Sequence, residues 1–161
     1  MASPFHLLFI CMGNICRSPA AEGVMRSIVT EAGLAEQIHI SSAGTGGWHA
    51  GKLPDARMRT AAQHRGYTLQ SRAHQVTAGD LCDYDLVLVM DQQNRRELRT
   101  LDPAGEHDAK VRFFCEFCTT HDVAEVPDPY YGGAQGFELV LDLLEDGCRG
   151  ILQHIRAQRA L

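Results

Sequence analysis

The chain has 161 residues, 45% of them apolar, and a formal net charge of −5 at neutral pH. That apolar content suffices for one domain, over 1–161, whose core needs no disulfide or metal staple. The acidic balance and the lack of any basic run exclude a broad electrostatic grip on nucleic acid or an anionic membrane, so any anion site has to be local.

The first ten residues, MASPFHLLFI, carry no basic leader region and no small-residue cleavage site. No apolar run reaches the roughly 20 residues of a membrane span, so a soluble, cytoplasmic protein is expected. There the six cysteines are expected to stay reduced.

Short runs of branched and aromatic residues predict strands at 5–10, 38–42, 85–90 and 110–114. Helical patterns lie between and after them. Ser18 and Pro19 read as an N-cap and first-turn pair, with Ala21, Val24, Met25 and Ile28 at helical spacing behind them. A second helix, 54–65, should end at Gly66 in a left-handed cap. Thr77 with Asp80 predicts a capping box, and Asp91 caps 92–101. Phe137, Val140, Leu141, Leu144, Cys148, Ile151, Leu152 and Ile155 mark one face of a long final helix, although Gly147 and Gly150 lower its propensity. This alternation predicts an α/β fold in three layers, a four-stranded parallel sheet with helices on both faces. Ligands in such sheets bind beyond the carboxyl ends of the strands, which is where Cys11 falls.

The segment CMGNICRS then acquires a chemical meaning. A turn through Met12, Gly13, Asn14, Ile15 and Cys16 into a helix can aim consecutive backbone N–H groups at one anion, with the helix N-terminus adding to the field. Gly13 and Asn14 suit unusual backbone angles. Arg17 can grip two oxygens of a tetrahedral phosphate with its planar fork. The donors that hold phosphate also favour thiolate over thiol at Cys11, and Ser18 is placed to offer that sulfur its hydroxyl. A cysteine nucleophile needs an acid for the leaving oxygen, and Asp128, between two prolines in VPDPYYGG, is the candidate. The same residues also fit a buried strand-end cysteine, a solvent-facing arginine and an ordinary turn aspartate.

Taken together, CMGNICRS, SAGTGGWHAGKLPDAR at 42–57, VMDQQNRREL at 89–98 and DPYYGG at 128–133 resemble the low-molecular-weight protein tyrosine phosphatases, in the same order and over nearly the whole chain. The resemblance implies hydrolysis of phosphotyrosine on proteins through a phosphocysteine, with no metal or other cofactor. Cys11 would be nucleophile, Arg17 phosphate clamp, and Asp128 general acid and then base. Asn14, Ser18 and Ser42 would form the network holding the phosphate-binding loop. Trp48, Tyr130 and Tyr131 would wall an aromatic groove floored by Met12. Its partners would be phosphotyrosine proteins and inorganic phosphate or a similar oxyanion, bound by a monomer, with weak self-association as the alternative. Where relatives carry an HxARQ-like stretch this chain reads SRAHQ at 71–75, which leaves open whether Ser71 takes over the histidine's contact with the loop and makes His74 a surface residue.

Rival readings use the same loop. An arsenate reductase-like enzyme needs a relay thiol soon after Cys82, and none occurs before Cys115. A phosphate-binding module or a phosphocysteine carrier needs no Asp128. CEFC at 115–118 offers two metal ligands, with His121 as a possible third, but no second pair at zinc spacing, so no metal is expected. Cys82 and Cys148 read as core residues. Cys16 reads either as a small residue beneath the loop or as a thiol that captures oxidised Cys11 in a disulfide.

Overall fold

The computed structural model describes residues 3–130 and 132–161. Four parallel strands, β1 (Phe5–Cys11), β2 (Ile38–Gly44), β3 (Leu86–Val89) and β4 (Val111–Phe113), form one sheet in the order β2-β1-β3-β4. Strand side chains alternate between two cores, as a sheet covered on both faces requires. Phe5, Leu7 and Phe9 of β1 enter one core with helices α1 (Arg17–Glu31), α2 (Ala56–His64) and α5 (Ala134–Arg159). Leu8 and Ile10 enter the other, with Leu81 of α3 (Ala78–Asp83) and Leu98 of α4 (Gln92–Arg99). All eight residues of the long apolar face are buried on α5.

The capping box at Thr77 and Asp80 and the Asp91 cap are both present, and Gly66 takes a φ of 87° just past α2. Three local readings need correction. Helix α1 starts at Arg17 with Cys16 in the cap position, so Ser18 lies inside the first turn, with its hydroxyl committed to the loop rather than to a cap. Phe114 leaves β4 and opens a 3-10 helix, Phe114–Phe117, pressed against α5. Cys82 is exposed, because α3 buries only Leu81, and its thiol meets His107 at 3.5 Å.

The sheet reverses its winding between β1 and β3. The carboxyl ends of those two neighbouring strands, at Cys11 and just beyond Val89, therefore face the crevice where ligands bind in open α/β sheets.

Candidate active site

Cys11 ends β1, paired with Gly44 and buried. The chain then turns through 12–16, tied to β2 by Thr45 N–H donating to the Cys11 carbonyl and Gly46 N–H to that of Met12, each at 2.9 Å. Asp55 N–H donates to the Ile15 carbonyl at 2.7 Å. The left-handed torsion falls on Asn14, φ 56°, not on Gly13. Gly13 is needed for space instead, since a Cβ there would sit 2.9 Å from the His49 ring.

Asn14 is nearly fully buried and organises the loop. Its Oδ1 accepts from the backbone N–H of His74 at 3.0 Å, which fixes the amide so that Nδ2 donates to Ser18 Oγ at 2.8 Å and Ser42 Oγ at 3.0 Å. Ser42 passes its own proton to Glu22 Oε1 at 2.7 Å, and Arg26 holds the other carboxylate oxygen at 2.8 Å. Ser18, having accepted from Asn14, keeps its proton for Cys11 Sγ at 3.0 Å; the Ala43 carbonyl is farther, at 3.5 Å. The Ser18 backbone N–H also reaches the sulfur, at 3.4 Å. The Ser18 hydroxyl and backbone N–H thus converge on the Cys11 sulfur.

Arg17, the first residue of α1, is buried and donates through Nη1 to Asp91 Oδ2 at 2.7 Å and to the Val126 carbonyl at 3.0 Å. Its Nη2 lies 3.5 Å from Asp128 Oδ2. Burial works against this charge, but Cys11, Asp91 and Asp128 outweigh it and push the arginine above its ordinary range. Asp91 serves two elements at once, because its Oδ1 accepts from Asn94 N–H at the start of α4. Asp128 does likewise: Oδ1 closes a turn by accepting from Tyr130 N–H at 3.0 Å, while Oδ2 faces Arg17.

These groups surround a cavity of about 60 Å³ lined by Cys11, Met12, Gly13, Ile15, Cys16, Arg17, Trp48, His49, Asp128 and Tyr130. Its mouth is aromatic. Trp48 is 61% exposed, His49 links it to Tyr130 with ring centroids 6.0 and 6.4 Å away, and Arg57 stacks on the Tyr130 ring at 5.3 Å. Cys16 reaches the same cavity from a buried position, and burial, then Asp55, Cys11 and Asp128, push its thiol well above the ordinary range. Tyr131 lies outside the described residues.

The sequence profile of the low molecular weight phosphotyrosine protein phosphatases matches residues 6–161. The chain belongs to this family. A Synechocystis relative bearing the same family designation is 49% identical over 146 residues, covering 91% of this chain and 93% of that protein. Among solved structures, a protein tyrosine phosphatase of Entamoeba histolytica with Hepes in its active site is 42% identical, with a TM-score of 0.89 over 97% of this chain and 98% of that one. Bacillus subtilis YfkJ has a TM-score of 0.92 at 34% identity, over 98% of each chain.

This phosphatase brings Cys11, Arg17, Asp128, Asn14, Ser18, Ser42, Trp48 and Tyr130 to one place, together with residues the sequence reading did not mark. Asp91 reads as a cap alone, since nothing near it in the chain marks its second oxygen as a partner of Arg17, 74 positions away. Glu22, which no pattern in the sequence marks, is buried and accepts from Ser42 beneath the loop. His49 was visible only as the neighbour of Trp48. The SRAHQ stretch supports the loop through the His74 backbone while the imidazole is exposed; Ser71 lines a separate cavity beside Glu22 and Arg26.

Proposed function

We propose that this protein-tyrosine-phosphatase hydrolyses phosphotyrosine on proteins, and simple aryl phosphates, through a phosphocysteine, acting as one cytoplasmic, monomeric domain over 1–161. The supporting observation is that Cys11 and Arg17, at the two ends of one loop, meet Asp128, from a segment more than a hundred residues further along the chain, around one cavity. A dianionic phosphoryl group seated in the loop over residues 12–17 would replace Asp128 as the partner of Arg17 Nη2 with its own equatorial oxygens, while Asp91 goes on holding Nη1. The Cys11 thiolate attacks phosphorus, and the bond to the tyrosyl oxygen breaks as Asp128 delivers its proton to that oxygen. Asp128, now a carboxylate, takes a proton from water; the water oxygen bonds phosphorus, the S–P bond breaks, and the Ser18 hydroxyl receives the departing thiolate. Every step uses side chains of this chain, so no cofactor is invoked. The ring of the substrate lies against Trp48 and Tyr130, where stacking adds roughly 0.5–1.5 kcal/mol beyond area burial. In members of this family the substrate is phosphotyrosine, and the apolar, aromatic mouth suits a flat ring.

The test is steady turnover of para-nitrophenyl phosphate in EDTA. Cys11→Ser should abolish it, and Arg17→Lys, a point charge without the planar fork, should be severely impaired. Asp128→Ala should slow phenyl phosphate more than the nitrophenyl ester, whose better leaving group needs less protonation. Either loop variant keeping more than about a tenth of wild-type kcat, roughly 1.4 kcal/mol, would overturn the assignment, and a uniform loss across leaving groups would remove Asp128 as the acid.

A further inference from the structure

The phosphoryl-transfer site makes no use of the CEFC segment. Cys115 and Cys118 stand at i and i+3 of the 3-10 helix Phe114–Phe117 and its C-cap, joined by Cys118 N–H donating to the Cys115 carbonyl at 3.2 Å. In a 3-10 helix positions i and i+3 eclipse. Three residues at about 2.0 Å rise put the two Cα atoms about 6 Å apart, within the 4.4–6.8 Å that a disulfide spans. The turn cannot drift from this register, because α5 approaches it at two glycines: a Cβ on Gly147 would overlap the Phe114 ring, and one on Gly150 the Phe117 carbonyl. Cys115 is reached through a cavity of about 380 Å³ that it lines with Gln92, Phe113, Glu116, Val123 and Glu125, and Cys118 is half-buried. Both thiols are free.

We propose that Cys115 and Cys118 are a dithiol couple that closes to a disulfide on reaction with a hydroperoxide, separately from Cys11. The Cys115 thiolate attacks the peroxide, the O–O bond breaks, and a sulfenic acid forms with release of hydroxide or alkoxide. Cys118 sulfur then bonds Cys115 sulfur and the S–O bond breaks, releasing water; two thiols are oxidised and one peroxide is reduced. The order follows from the two environments. Cys115 lines the cavity by which a peroxide arrives, whereas the Cys118 thiol is turned to the Leu143 carbonyl, to which it donates at 3.7 Å; in the same sense, the nearness of Cys118 holds Cys115 below the ordinary thiol range against the effect of burial, and Cys115 and burial push Cys118 up. Glu116 and Glu125 at the cavity favour a small neutral oxidant over an anionic disulfide such as oxidised glutathione. The couple also sits at the root of the segment 119–127 that leads to Asp128, a segment anchored where Asp146 accepts from the N–H groups of Thr119, Thr120 and His121.

The experiment uses the wild-type chain. It is treated with hydrogen peroxide, alkylated, unfolded and cleaved after glutamate, which cuts at Glu116 and leaves Cys115, Cys118, Cys148 and the Cys11–Cys16 loop on four different fragments. The expected result is that fragments 107–116 and 117–125 stay joined in nearly all molecules and part on addition of a dithiol. With Cys118→Ser, Cys115 should proceed to a sulfinic acid that a dithiol does not reverse. Separate fragments with both cysteines alkylated, a link from Cys118 to the Cys148 fragment, or a sulfinic acid on Cys115 with Cys118 intact would each overturn the proposal.

Discussion

Asn14 shows how far one side chain can organise a catalytic loop. It accepts from one strand-side backbone N–H and donates to two hydroxyls, and that polarity leaves the Ser18 proton for Cys11. A hydrogen bond to a charged group contributes about 1.5–3 kcal/mol. Ser18→Ala should therefore lower kcat by roughly ten- to a hundredfold. If the bond matters most when the thiolate departs, stopped-flow traces will show a burst of nitrophenol before a slowed steady state, whereas an unchanged kcat would remove the role. Cys16 makes a second case. Its thiol is pushed up by burial, Asp55, Cys11 and Asp128, so little of it is thiolate near neutral pH and the fraction grows with pH. If Cys16 captures peroxide-oxidised Cys11 in a disulfide, the activity recovered by reductant should rise from about pH 7 to about pH 9, with phosphate protecting by occupying the loop. Recovery that is flat or falls over that range would count against Cys16 as the resolving thiol. The local parts of this network were legible, because a Cys-x5-Arg-Ser loop dictates its own geometry. Glu22 was not, since its partner Ser42 is 20 positions away and only the packing of α1 on β2 brings them together.

At the scale of elements, α5 is instructive because its sequence argues against itself. Gly147 and Gly150 weaken a helix, yet α5 runs unbroken from Ala134 to Arg159. The glycines are there for the approach of the 3-10 helix Phe114–Phe117, a contact between segments far apart in the chain that periodicity cannot reveal. Alanine at either position would gain about 1 kcal/mol of helix propensity. Overpacking costs typically 1–3 kcal/mol, and the two sites differ in what must give way. At Gly147 the obstacle is the Phe114 ring, a side chain packed in the core against Phe9; at Gly150 it is the Phe117 backbone carbonyl, which cannot shift without moving the turn. Both changes should destabilise, Gly150→Ala the more, by about 2 kcal/mol or more. Gly79 on α3 meets only Thr77 Oγ1 at 3.7 Å, so Gly79→Ala should be neutral or stabilising by up to about 1 kcal/mol. Urea midpoints would read all three, and Gly150→Ala as stable as wild type would contradict the packing argument. The same local blindness explains Ser18: read along the chain it resembled a cap, but the loop had already claimed its hydroxyl.

For the molecule as a whole, strand order carries the argument. With β1 and β3 adjacent and the winding reversed between them, Cys11 and Asp91 emerge side by side although the second strand and three helices lie between β1 and β3 in the sequence. Four parallel strands and their helices could be read from alternating patterns, and so could the end of the sheet at which a ligand binds. What those patterns could not supply was which strand lies next to which, and hence that Arg17 would be held by a residue following β3. Asp91→Asn separates the two duties of this side chain. Asparagine caps a helix about as well as aspartate, so α4 should keep its start, and what stability is lost should come from the buried Arg17 losing a charged partner rather than from the cap. Arg17, however, loses the carboxylate that fixes Nη1 at 2.7 Å. Binding of inorganic phosphate depends mostly on net charge, and removing a nearby negative charge should leave its inhibition constant within about threefold. Turnover depends on how the guanidinium is aimed as charge moves onto the equatorial oxygens, so kcat should fall by about tenfold, or about 1.4 kcal/mol. A tenfold weaker phosphate inhibition with kcat unchanged would mean that Asp91 tunes anion binding rather than the aim of Arg17. Asp91→Ala supplies the contrast: the same loss of kcat, with about 1 kcal/mol of stability lost in addition because the cap goes too.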